Sequence, residues 1–70
     1  MMIIDTTDGN NLRLLRRRKG LTQEEVADRL HIPQSAYAQI EIGITRPWGV
    51  NLQRLCIIFQ VSPNFNVLKR

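Results

Sequence analysis

Residues 22–41 read Thr-Gln-Glu-Glu-Val-Ala-Asp-Arg-Leu-His-Ile-Pro-Gln-Ser-Ala-Tyr-Ala-Gln-Ile-Glu, and their pattern decides the fold. Thr22-Gln23-Glu24-Glu25 is a T-x-x-E capping box: Thr22 caps a helix, and Glu25, at the third helical position, reaches back to it. Leu21, just before the cap, is placed to staple onto Val26. Val26, Ala27 and Leu30 follow on the inner side, and the helix stops at the tight connection His31-Ile32. Pro33 suits the start of a second helix, where its fixed φ and missing N–H cost little. Spacing turns Ala36, Tyr37 and Ile40 inward and Gln34, Ser35, Ala38 and Gln39 outward, and Gly43 closes the helix. At about eight residues each, such helices are too short to stand alone and must dock on neighbours.

The flanking sequence supplies those neighbours. A first helix is expected to start near Asn10 or Asn11, with Asn10 as its cap, and to end at Gly20, with Leu12 and Leu15 on one face. Arg16, Arg17, Arg18 and Lys19 crowd its last turn, where positive charge favours the helix dipole. A fourth helix is expected from about Val50 to Phe59, with Leu52, Leu55, Cys56 and Phe59 as its inner stripe. Ser62 or Asn64 can cap a short last helix ending around Leu68, anchored by Val61, Phe65 and Leu68. The first eight residues read equally as a short strand or a frayed arm. The expectation is an all-α fold, a compact bundle of about five short helices. Residues 1–9 form an N-terminal arm in this reading, and residues 10–70 the domain.

At 70 residues and 8.1 kDa there is room for one domain and none for a multidomain enzyme. A lone cysteine, Cys56, cannot close an intrachain disulfide. A lone histidine, His31, cannot complete a four-ligand zinc site with it. No metal, cofactor or catalytic constellation is expected, since one histidine, one cysteine and six scattered acids offer no nucleophile, base and orienting group. Ten cations against six acids leave a net charge of +4 and a pI near 10.2, and eight of the ten cations are arginines. That balance suits a polyanion partner, with a merely basic solvated surface weighing equally. No apolar run approaches a membrane span, and the longest is Leu55-Cys56-Ile57-Ile58-Phe59. The chain is expected to be soluble and cytoplasmic, with no membrane partner.

With Arg16, the run Lys19-Gly20-Leu21-Thr22-Gln23-Glu24-Glu25-Val26-Ala27 and Leu30, followed by Ile32, Ser35, Ile40, Glu41, Gly43, Pro47, Leu52, Leu55, Phe59, Val61 and Ser62, the chain resembles the phage-repressor-like (Cro/C1-type, XRE) helix-turn-helix domains. The resemblance covers about residues 11 to 64. It implies a lambda-repressor-like fold in which the helix 33–41 is the recognition helix, laid in the major groove of double-stranded DNA. The family's base-reading positions fall on Gln34, Ser35 and Gln39, with Ala38 beside them. A glutamine can pair with adenine through two hydrogen bonds, a serine can bond several bases, and an alanine methyl can touch thymine. The implied phosphate contact is Gln23 at a helix N-terminus, with Arg46 as a second candidate. Arg17 and Arg18 can reach the flanking backbone or simply complement the helix dipole, and the two readings stay level. The resemblance also implies an Arg16–Glu41 ion pair that orients the recognition helix. The function implied is transcriptional regulation, as a repressor, without enzymatic activity.

Several residues depart from the family pattern. His31 stands where a turn glycine is usual, so the turn is expected to be strained or altered. Pro33 replaces a Ser or Thr cap, Tyr37 an aliphatic residue, and Gly49 an apolar one, which points to a late start for helix four. Ile42 and Ile44 fall where polar or basic residues are common, which weakens the basic patch. These isoleucines, with Trp48, Val50 and Ile57, exceed what one small core can hold. A homodimer through Trp48, Val50 and Ile57 is one reading, and Trp48 as a cap on the core is the other. An antitoxin-like or accessory module that binds a protein partner with the same fold is the alternative function.

Overall fold

A computed structural model describes residues 6–61. Among them lie four helices in the order α1 (Gly9–Arg18), α2 (Gln23–Leu30), α3 (Gln34–Glu41) and α4 (Gly49–Phe59), and no strand. The additional helix expected beyond Ser62, and residues 1–5 of the arm, lie outside the described residues.

α1 begins earlier than its sequence suggests. Asp8, not Asn10, is the N-cap, and its side chain accepts from the Asn10 N–H at 2.8 Å. The reason is tertiary. Gly9 is buried in the first turn, where a Cβ would collide with the backbone carbonyls of Ile40 and Glu41. Only glycine lets α1 approach the end of α3 this closely, so the helix starts one residue before the asparagines.

α2 starts with the expected reciprocal box. Thr22 Oγ1 accepts from the Glu25 N–H at 3.0 Å, and Glu25 Oε1 accepts from the Thr22 N–H at 2.8 Å. These bonds to Thr22, the backbone one foremost, hold the Glu25 carboxyl below its ordinary value. α3 begins at Gln34 rather than Pro33. The proline is the cap residue in extended conformation and offers no side-chain hydrogen bond. α4 starts at Gly49, one residue before the expected Val50, and Gly49 takes the left-handed φ of +59 at the corner after Trp48.

All four helices end in one motif. The amide of a left-handed residue returns to a carbonyl three back, and the next amide to the carbonyl five behind it. The bonds are Gly20 and Leu21 to Arg17 and Arg16, His31 and Ile32 to Asp28 and Ala27, Gly43 and Ile44 to Ile40 and Gln39, and Gln60 and Val61 to Ile57 and Cys56. Glycine takes the left-handed position in α1 and α3, at φ 71 and 88, whereas His31 and Gln60 take it at φ 61 and 57. The turn at His31 therefore keeps the geometry a glycine would adopt, with a side chain in a disfavoured region.

Packing follows the periodicity. α2 packs on α3, α1 on α3, and α4 on α2. Leu12, Leu15, Val26, Ala27, Leu30, Tyr37, Ile40, Leu55 and Phe59 form one cluster, and Leu21, Ile32, Ile58 and Val61 press against it. Leu52 and Cys56 complete the inner stripe of α4. Burial pushes the Cys56 thiol up, which marks it as a small core residue. The core fixes α3 by its inner side and leaves its outer side to solvent.

Candidate nucleic-acid interface

The outer side of α3 carries short, uncharged side chains. Gln34, Ser35 and Gln39 are exposed, and Ala38 is half-buried beside them. Tyr37 and Ile40, on the opposite side, are buried in the core. A helix anchored by one side and wet on the other has the dimensions to lie in a major groove.

Beneath that helix is a polar chain. Arg16 Nε donates to Glu41 Oε2 at 2.7 Å and Nη2 donates to Oε1 at 3.2 Å, a two-pronged pair. Arg16 Nη1 also donates to the Leu21 carbonyl at 2.9 Å. The Glu41 side chain is 1% exposed and that of Arg16 12%. Gln23 Nε2 donates to Glu41 Oε1 at 3.0 Å, and Gln34 Nε2 donates to Gln23 Oε1 at 3.5 Å. Burial works to raise the Glu41 pKa, but the hydrogen bonds it receives outweigh burial and hold it below the ordinary value. The Glu41 hydrogen bond in turn raises the already high pKa of Arg16. Tyr37 lies beside the pair. Its buried hydroxyl has no hydrogen bond of good geometry, and burial pushes its pKa far above the usual phenol value.

Gln23 thus lies at the start of α2 and within the Glu41 chain at once. Sequence reasoning placed it only as a phosphate contact, because nothing local signals a partner 18 residues away. Arg17 and Arg18 are exposed at the end of α1. Arg46 is also exposed, but its Nη1 donates to Thr7 Oγ1 at 2.7 Å, tying the loop after α3 to the segment before α1. Nothing in the sequence signals that link, since Thr7 stands in a stretch without a readable pattern.

The apolar departures sit at the surface. Ile42 and Ile44 are each 66% exposed, Trp48 is 80% exposed, and Val50 and Ile57 are exposed on α4. Trp48 therefore does not cap the core, which removes one of its two readings. Among the described residues no group of three or more His, Cys, Asp or Glu could hold a metal ion. No helix there is long and apolar enough to cross a membrane.

The profile of the helix-turn-helix family matches residues 12–66. No curated protein and no solved structure matches the chain. The match takes in the capped α2, the His31 turn, α3 and the polar chain between them, and the chain belongs to the Cro/C1-type helix-turn-helix family of DNA-binding regulators.

Proposed function

We infer that the protein is a sequence-specific regulator that binds double-stranded DNA with α3 in the major groove and represses by occupying its site. The observation that carries this reading is the outer side of α3, where short neutral side chains stand exposed above a buried ion pair. Gln34, Ser35, Ala38 and Gln39 are the base-reading residues in this account. Gln23 at the α2 N-terminus, with Arg46, Arg17 and Arg18, supplies backbone contacts that set register and much of the affinity. Arg46 would have to exchange its Thr7 partner for phosphate, which makes it the weakest of the four.

Two-fold symmetry matches a palindromic site, and the reading takes the protein as a homodimer through Trp48, Val50 and Ile57. Their exposure supports it, as does the two-turn spacing of Val50 and Ile57 along one side of α4. Sedimentation over a concentration series tests this part, and a monomer throughout removes it.

Selection of duplexes from a random library by the purified protein tests the DNA-reading role. The expected result is one enriched sequence, bound far more tightly than random DNA, with affinity falling steeply as salt rises. Weak binding without preference would favour the second reading, an antitoxin-like or accessory module that holds a protein partner. The exposed Ile42 and Ile44 beside α3 are the observation on its side.

A further inference from the structure

We propose that Glu41 is a positioning residue for base recognition: acting through Gln23, it sets which end of the Gln34 amide faces the groove. The proposal rests on the base-reading role given to Gln34 above. A carboxylate only accepts hydrogen bonds. Glu41 Oε1 receives one from Gln23 Nε2 at 3.0 Å, so Gln23 cannot turn its own oxygen to that side. The Gln23 oxygen points the other way, where Gln34 Nε2 donates to it across 3.5 Å. Gln34 must then turn one N–H inward. Its oxygen and its second N–H are left outward, the acceptor and donor that match N6 and N7 of adenine.

The anchor of this chain is rigid. Three donors of Arg16 hold Glu41 Oε2, Glu41 Oε1 and the Leu21 carbonyl. The contacts lengthen from 2.7 Å at the buried end to 3.5 Å at the wet end, so the polarity of an exposed amide is set by a charge it does not touch.

Glu41→Gln replaces one carboxylate oxygen by an NH2 group of nearly the same size. The short contact from Arg16 Nε claims the remaining oxygen. The new NH2 then faces Gln23, whose amide turns over, and Gln34 must offer its oxygen inward. Gln34 then presents only N–H groups to the groove, which suits the acceptors of guanine.

The test compares the whole protein with its Glu41→Gln variant. Both select from a random duplex library, and dissociation constants follow for duplexes that differ at the base pair identified by Gln34→Ala. The expected result is a relative preference at that base pair shifted about tenfold or more, from adenine toward guanine. In a Gln23→Ala background the same substitution should shift nothing further, because the link is already cut. A merely structural role for Glu41 would lower affinity for every duplex alike and leave the ranking of bases as it was. A measurement on the unsubstituted protein stands even if the variant fails to fold. The side-chain amide protons of Gln23 should be shifted and exchange-protected by NMR in the absence of DNA, and random-coil values would overturn the proposal. A parental consensus that Glu41→Gln retains unchanged overturns the role of Glu41 alone. No parental consensus at all overturns the DNA reading, and this role with it.

Discussion

α3 and α4 are built alike on the inside and oppositely on the outside. Each buries one side in the same core, through Tyr37 and Ile40 in α3 and through Leu52, Leu55, Cys56 and Phe59 in α4. Outward, α3 offers amides and a hydroxyl, one of them linked by hydrogen bonds to a buried ion pair. α4 offers the apolar side chains of Val50 and Ile57, with Trp48 just before its start, all three exposed. Hydrogen bonds have direction and can discriminate one base edge from another. Apolar area has no direction and favours association in proportion to its extent. On the proposed reading the two helices divide the tasks, base recognition on α3 and association on α4.

The comparison breaks most sharply at Glu41. Glu41→Ala strands the Arg16 charge and frees Gln23, and should cost about 3–5 kcal/mol of folding stability by denaturant titration. That is a large share of what a domain this small possesses. Acid probes the same pair without mutation. The folded pKa of Glu41 is depressed, so its contribution is fully present above the unfolded-state value, near the ordinary 4.5, and fades as pH falls through the depressed value. Glu25 is depressed too and adds to the same window. Melting temperature should fall across that window in the parent. A profile of unchanged steepness in Glu41→Gln would show that the pair does not govern acid stability.

The outer faces give the next effect. Gln34→Ala or Gln39→Ala should cost about 1–3 kcal/mol in binding the selected duplex and relax preference at particular base pairs, read by competition binding. Ile57→Ser should leave base preference intact and alter only self-association, read by sedimentation. If Ile57→Ser changes base preference instead, the division between the helices fails.

The smallest effect concerns the turns that close α2 and α4. His31→Gly and Gln60→Gly each relieve a left-handed side chain and should stabilise by about 0.5–1 kcal/mol in urea titrations. A loss at His31 would mean that its ring makes a contact worth more than the strain.

Most of the fold was legible because its signals are local. The box of Thr22 and Glu25 needs only residues three apart, and Gly20 and Gly43 announce left-handed closures. Gln60 closes α4 in the same way but carries no such announcement, and Pro33 proved to be a cap rather than the first helical residue. The outward side of α3 followed from spacing alone. The base-reading role proposed for Gln34 and the pairing of Glu41 with Arg16 came from resemblance, since an exposed glutamine and a helix-terminal glutamate look ordinary in a string of letters.

Periodicity and capping sufficed to place four helices and their inward residues, because each such signal acts within a turn or two of chain. Three things awaited the packed molecule: the early start of α1 at Gly9, the direction of the Gln23 amide, and the exposure of Trp48. Each depends on groups far away in sequence, or on how the described residues pack in space. Close packing and hydrogen-bond geometry decide such matters only after distant segments have met.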